Sequence, residues 1–376
     1  MTTFLQLHLL TSYPPACLNR DDLNRPKTAM LGGVPRLRIS SQSLKRAWRT
    51  SDEFQAALKD HVGTRTKLMG VQIYEHLRGK GIAEQASKDW AKAIAGRFGK
   101  LKAAKQDKPI NDLEIEQLAH FSPEETSGIF SLADILAESG RAPTEAELNL
   151  LREEHKAADI ALFGRMLADS PKYNTEAACQ VAHAVTVHRA AVEDDFFTAV
   201  DDLNKREEDA GSSHMGEQGF GAGLFYLYVC IDCDSLKANL GGDDKAGELA
   251  GKAIGALIDS AAKVAPTGKQ NSFASRAYSF YGLLEKGSRQ PRSLSLAFVK
   301  PVKASHEDGN GMLVDAINAL ETMRNNMDKV YHGKEKTGED GKKIRVPDPL
   351  PARAFNAVTG EGSFEELLNW AVSEGA

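Results

Sequence analysis

Cysteine is scarce in this chain. Cys17, Cys179, Cys230 and Cys233 are the only four in 376 residues, too few for a disulfide scaffold to substitute for a hydrophobic core. No apolar run approaches the ~18 residues that a membrane-spanning helix needs. The N-terminus, Met1-Thr2-Thr3-Phe4, lacks the basic leader and long apolar stretch of a signal peptide, so the expected location is the cytoplasm. The most telling absence is local. Between Leu23 and Thr50 there is no Asp or Glu, while seven Lys or Arg residues occur there.

That block stands out because the chain as a whole is slightly acidic, with formal net charge -5. Overall composition therefore does not account for it. A cationic patch on an acidic background points to a local anionic partner, and the commonest extended one is a nucleic acid backbone. The remaining composition, 41% hydrophobic and 26% charged, is that of a globular protein. Its length suits two or three packed units.

Phe4 to Leu10 reads as a buried first strand that ends at Pro14-Pro15. Leu18 to Pro35 reads as a loop. Arg36-Leu37-Arg38-Ile39 alternates as a half-buried strand does. A helix follows, with Ser40 or Ser41 as N-cap. Leu44 and Trp48 share one face, and Gln42, Lys45, Arg46 and Arg49 share the other. From about Glu53 to Ala168 an Ala-, Leu-, Glu- and Lys-rich composition predicts a helical insertion. Thr144 to Leu162 is its clearest helix, because Thr144 and Glu147 have capping-box spacing.

Cys179 to His188 alternates at strand period and leaves an Ala-rich helix open. Leu224 to Ile231, apolar on both faces, predicts a central strand. The roughly 35 residues between, Arg189 to Gly223, exceed any tight hairpin, and loops of that size are usually functional or disordered. Ala246–Ala265 and Met312–Tyr331 read as helices, Arg292–Val299 as a strand, and His332–Leu350 as an exposed excursion. Ser363 and Glu366 open a last short helix. Stripped of insertions, the order is strand, helix, strand, strand, helix, strand. That is the ferredoxin-like arrangement of RNA-recognition domains, an α+β class.

Several of these residues resemble a known family. Cys17-Leu18-Asn19-Arg20-Asp21-Asp22, then Gly32-Gly33, then Arg38-Ile39-Ser40-Ser41-Gln42-Ser43-Leu44-Lys45-Arg46 are similar to the start of the CasC family. Members of that family are the backbone subunits of Cascade, the type I-E CRISPR surveillance complex. Gly164-Arg165-Met166, Ala182-His183-Ala184, and Phe197 to Leu203 agree as well. The likeness covers the first fifty residues and about Asp159 to Leu240; it is faint in the helical insertion and after Leu240.

The resemblance implies a hand-like subunit that lines up in several copies along one CRISPR RNA. The palm, RNA-recognition-motif-like, would be formed by residues 1–52, 169–188 and 224–376. Residues 53–168 would be the helical fingers, and residues 189–223 a long projecting thumb. Arg20, Lys27, Arg36, Arg38, Lys45, Arg46 and Arg49 would meet RNA phosphates, with Ser40 and Gln42 donating hydrogen bonds. Gly164, Arg165 and Met166 would meet the RNA where a base is kinked out. Phe196, Phe197, Thr198 and Val200 would wedge against bases. Exposed bases would pair with target DNA, and further partners would be other copies of the chain and the other Cascade subunits. No cofactor, metal or catalytic residue is implied. Three departures stand out: Val34-Pro35 follows the Gly pair where more basic character is expected, Phe163 precedes Gly164 where a small polar residue would be unremarkable, and Ser272 to Pro291 matches no part of the pattern.

Other readings compete. Cys230-x-x-Cys233 is a single pair, which suits buried strand cysteines better than a metal site. His183 and His188 suit structural roles. Glu193-Asp194-Asp195 and Asp201-Asp202 could hold Mg²⁺ for RNA cleavage, as in backbone subunits of type III complexes. This alternative, a metal-dependent nuclease subunit, runs against the type I-E likeness. Gly216 to Gly223 leads into a strand and lacks a Gly-Lys-Ser/Thr ending, so it is no phosphate-binding loop for nucleotide hydrolysis.

Overall fold

The computed structural model describes residues 2–108, 110–199, 214–303, 311–337 and 343–373. Its contacts divide the chain into two units. One comprises Met1–Phe54, Val181–Cys230 and Gly255–Ala376; the other comprises Gln55–Gln180 and Ile231–Ile254.

The first unit is organised by β1 (Phe4–Ala16), whose Leu5, Leu7, Leu9 and Leu10 are all buried. The segment read as a loop before Pro35 instead forms β2 (Thr28–Leu31), paired antiparallel with β3 (Val34–Ile39). Gly32 and Gly33 make the two-residue turn, with φ of 63° and 77°, a conformation that glycine adopts without steric cost. A side chain at Gly32 would also collide with the Val299 carbonyl. The cationic helix follows as α1 (Ser41–Arg49), and α2 (Asp52–Leu58) comes next.

The second unit then begins. It contains β4 (Thr64–Thr66), α3 (Met69–Gly79), α4 (Glu84–Ala95), β5 (Ala119–Phe121), α5 (Pro123–Ser139) and α6 (Ala158–Phe163). Met69, Ile73, Leu77, Ile94, Phe121 and Ile129 belong to its core. The helix expected over Thr144 to Leu162 is not formed. Thr144 and Glu147 do make reciprocal capping bonds, but only one turn follows. The Arg152 and Lys156 amides donate to the Glu125 and Glu124 carboxylates of α5 instead of to helix carbonyls.

The expected strand after Cys179 is broken into β6 (Cys179–Val181) and β7 (Ala184–Thr186), so His183 and His188 lie outside strands. The long loop read between Arg189 and Gly223 is in part a ribbon. β8 (Glu193–Ala199) pairs antiparallel with the first part of β9 (His214–Asp232), from Glu193↔Phe220 to Ala199↔His214. The glycines once read as loop residues therefore sit in a strand. The Phe197 ring lies where a side chain at Gly216 would be.

Next come α7 (Cys233–Asn239), α8 (Asp244–Lys263), α9 (Gln270–Phe273) and β10 (Ser279–Gly287). β10 lies within the segment the sequence left unplaced. The strand expected over Arg292–Val299 is instead irregular chain with a 3-10 turn at Ser295–Phe298. Side chains of the sheet capture its backbone: the Arg292 amide donates to Gln6 Oε1 and the Leu294 amide to the Tyr226 hydroxyl. The chain ends with α10 (Gly311–His332), β11 (Lys334–Thr337), β12 (Lys343–Val346), β13 (Ala352–Asn356), β14 (Glu361–Gly362) and α11 (Phe364–Val372), the last capped by Ser363 as its sequence predicts.

Among the described residues the main sheet has ten strands. Its path runs β14-β13-β10-β1-β9-β7-β3-β2, with β6 and β8 also paired to β9. Beside it, Leu10, Leu224, Tyr226, Leu283, Phe298, Ile317 and Leu320 form one apolar cluster that includes residues of α10. An ionic knot accompanies that packing. The fully buried Glu285 carboxylate accepts from Arg292 at 2.8 Å and from Arg324 Nε of α10 at 2.8 Å. The molecule is thus mixed α/β with a large antiparallel sheet and eleven helices among the described residues.

Candidate nucleic-acid interface

The site is built on the loop before β2, on β3 and on α1. Ser40 caps the helix, with Oγ accepting from the Ser43 amide at 3.3 Å and its own amide donating to Asn19 Oδ1 at 2.9 Å. Leu44 and Trp48 are buried, which fixes the helix rotation. Gln42 and Arg46 are then exposed, and Lys45 and Arg49 are half-buried. The last turn carries Arg46 and Arg49 and no first-turn acid, a placement the helix dipole favours at the C-terminal end.

The preceding loop is pinned by its own hydrogen bonds. Asp21 Oδ1 accepts from the Leu23 and Arg25 amides at 3.0 and 2.9 Å, and Asn24 adopts a left-handed φ of 62°. The Lys27 amide donates to the Asn19 carbonyl at 2.9 Å, closing the loop's base. Exposed Arg20 and half-buried Lys27 flank that base. Arg25 reaches Asp194 of β8 at 2.9 Å, tying the loop to the ribbon's root.

Half-buried Arg38 lies 3.2 Å from His183 Nδ1, which also accepts from the Ser41 amide at 3.3 Å. Burial first, then the charges of Arg38 and Lys27, lower the His183 pKa. The ring is therefore a neutral acceptor at the helix start. Asn19 and His183 are supporting residues that sequence reading did not assign here. An open cleft of about 490 Å³ borders this surface, lined by Asn19, Arg20, Ser43, Arg46, Thr50 and Thr267.

Arg36 is placed differently from its neighbours. It is wholly buried, and its guanidinium donates to the carbonyls of Leu31, Thr186, Phe298 and Val299. The fork clamps the β2–β3 turn to the 3-10 turn and has no exposed donor to offer a phosphate.

In the second unit, Gly164 caps α6 with φ 81° and ψ 162°, a region essentially closed to residues with a side chain. Arg165 beside it is buried. It donates to Glu125 at 2.7 Å and to the carbonyls of His120, Arg152 and Tyr173. Its guanidinium is fully engaged inside the unit, so phosphate contact is not available to it in this conformation. Met166, next along, is 74% exposed.

On the ribbon, Phe196 is 65% and Phe197 41% exposed. Consecutive strand residues point to opposite faces, so they form no single wedge; Thr198, exposed, shares the Phe196 face. Val200, Asp201 and Asp202 lie outside the described residues. Among the described residues no group of three His, Cys, Asp or Glu side chains is arranged to hold a metal ion, and no helix is long and apolar enough to cross a membrane.

The profile of a protein family described as CT1975-like protein matches residues 5–370. The chain belongs to that family. Two solved structures resemble this CT1975-like chain over nearly its whole length. A chain of an assembly described as "CRISPR RNA-guided surveillance complex, pre-nicking" is 27% identical, with a TM-score of 0.79 over 98% of this chain and 99% of that one. A chain of a second "CRISPR RNA-guided surveillance complex" shares the fold, at 21% identity and a TM-score of 0.70 over 99% and 100%. A search of curated proteins gave no match. Membership thus extends through the helical insertion and past Leu240, where the sequence likeness was faint, and it is of the Cascade backbone type.

Proposed function

We propose that this protein is the backbone subunit of a type I-E-like CRISPR surveillance complex, holding the phosphates of a guide RNA and presenting its bases for pairing with target DNA. One observation carries the reading. In a chain of this family, an acid-free stretch folds so that its helix buries Leu44 and Trp48 and turns Gln42, Lys45, Arg46 and Arg49 the other way. Phosphates attract cations whatever the base sequence, and pairing supplies specificity.

The palm is RNA-recognition-motif-like in this reading. The path β10-β1-β9-β7 supports it, because it places the fourth, first, third and second strands of a ferredoxin-like core in that fold's usual order. Residues 53–168 serve as fingers and 189–223 as a thumb that reaches a neighbouring copy, in a cytoplasmic oligomer with other Cascade subunits. Arg36 and Arg165 act as anchors that shape the surface, while Arg20, Lys27, Arg38, Lys45, Arg46 and Arg49 touch phosphate and Met166 touches the bases. The subunit is not an enzyme.

The test is co-purification followed by mutation. Wild type should carry small RNA of uniform length. Lys45→Ala with Arg49→Ala should weaken RNA binding and lower the log–log salt slope by about 1.4, two phosphates at ~0.7 each, with unchanged circular dichroism. Equal affinity and slope would refute the reading. Metal-dependent cleavage of bound complementary RNA, lost in Asp201→Ala and Asp202→Ala, would replace it with the nuclease.

A further inference from the structure

One part of the first unit takes no role in the site above. After α10 the chain makes a separate two-stranded ribbon, β11 with β12, from Lys334↔Val346 to Thr337↔Lys343. It is not paired to the main sheet. All its residues are exposed except Val346, which is half-exposed. An isolated hairpin is marginal in water, and this one is held from outside. Arg345 Nε donates to the Lys329 carbonyl at 2.9 Å, and Lys334 pairs with Asp348 at 3.0 Å.

The side chains on this ribbon and on the last turn of α10, which leads into it, are an unusual mixture to leave in solvent. Val330 is 66%, Tyr331 74% and Ile344 51% exposed. Six cations fall in the sequence from Lys329 to Val346, Lys329, Lys334, Lys336, Lys342, Lys343 and Arg345, against three acids, Glu335, Glu339 and Asp340. The two described carboxylates nearby are already engaged, Glu335 with Lys343 and Asp348 with Lys334 and Arg289. Lys329 and Lys336 have no ion pair among the described residues. By register, Lys334, Lys336, Ile344 and Val346 share one face. Tyr331 and His332 present adjacent rings, with centroids 6.4 Å apart.

Cations spaced along a strand that follows directly on two exposed rings in the chain match the two halves of a single-stranded nucleic acid: phosphates for the charges and base faces for the rings. An acidic protein segment would satisfy the charges but not the rings as well. We infer that residues 329–337 and 343–346 form a second, sequence-independent docking surface for single-stranded nucleic acid, separate from the block at residues 20–49. The inference rests on the proposed function only in taking the protein to work within a nucleic acid assembly.

The experiment compares full-length wild type, the Lys45→Ala/Arg49→Ala variant and a Tyr331→Ala/Lys336→Ala variant. Each is titrated with labelled oligothymidine or oligouridine over a range of salt, so that DNA and RNA are separate arms. The ribbon variant should bind at least one of them roughly tenfold more weakly, as expected for one lost stacking partner. Its salt slope should fall by about 0.7, and ultraviolet crosslinks in wild type should map to Tyr331. RNA that co-purifies should be retained by the ribbon variant and depleted in the block variant. Wild type that carries no RNA but still loses oligonucleotide affinity through Tyr331 and Lys336 would sink the guide-RNA reading and leave this inference standing. Unchanged affinity and slope in both arms would overturn the inference. So would a ribbon variant whose sedimentation changes while its oligonucleotide binding does not, because the surface would then dock a second copy of the chain.

Discussion

Arg36 and Arg165 invite comparison, because the resemblance turns each toward RNA, Arg36 to a phosphate and Arg165 to a kinked-out base, and yet each is buried. Their surroundings differ. Arg165 meets a carboxylate, Glu125, which is itself buried and also accepts from the Ser122 and Arg152 amides. Arg36 meets only backbone carbonyls. One is half of an ion pair; the other is a neutral-acceptor clamp. The lesson is that two cations can be hidden for the same mechanical purpose, fixing a turn beside a surface, with very different penalties for removal.

The largest effect is expected at Arg165. Arg165→Met strands the Glu125 carboxylate, which should destabilise the protein by about 3–5 kcal/mol. Adding Glu125→Gln should recover a good part of that in urea unfolding. Failure of the second change to help would mean that the charge is not what matters.

Acid should separate the two regions next. His155, buried near Arg165, has its pKa lowered to about 4 by burial first and then by the Arg165 charge. The unfolded histidine takes up its proton near 6.5, so between these values the unfolded chain binds more protons. Stability is therefore full above pH 6.5 and declines as pH falls toward 4, by up to roughly 3 kcal/mol from this residue. His155→Gln should flatten that decline. His183, on the Arg36 side, is exposed and should contribute less; an unaltered pH profile in His155→Gln would erase this contrast.

The smallest of the three effects belongs to Arg36. Arg36→Met leaves carbonyls unmet but no buried charge, an expected loss of about 1–3 kcal/mol. Arg36→Lys should not restore it, since an ammonium cannot span the fork's acceptors. Thermal unfolding of both variants provides the check: a loss in Arg36→Met as large as in Arg165→Met would break the comparison.

What could be read from sequence follows the reach of each cause. Ser40, Leu44 and Trp48 define α1 by contacts within one or two turns, so that helix and its polar face were legible. The same holds for α10 and for α11 with its Ser363 cap. Where a distant partner decides, the sequence was mute. The Thr144 turn has a sound cap, yet the Glu124 and Glu125 carboxylates take the amides that would have continued it. Arg292–Val299 has strand alternation, yet Gln6 and Tyr226 hold its backbone off the sheet. Arg36 looks outward-facing from its alternation; only a turn some 262 residues later covers it. The Gly32-Gly33 pair between Leu31 and Val34 was a hairpin signal that could have been used.

The position of β1 has a consequence for how the protein is made. Its pairing partner β10 runs from Ser279 to Gly287, opposite Phe4 to Thr11. A ribosome adding ~5–20 residues per second leaves the first strand without that neighbour for roughly 15–60 s. Meanwhile the core around Met69, Ile94, Phe121 and Ile129, whose members all lie between Met69 and Leu167, has everything it needs. Synthesis from the N-terminus therefore lets the core of the insertion gather first, while the oldest strand waits, apolar, for β9 and only then for β10 to flank it.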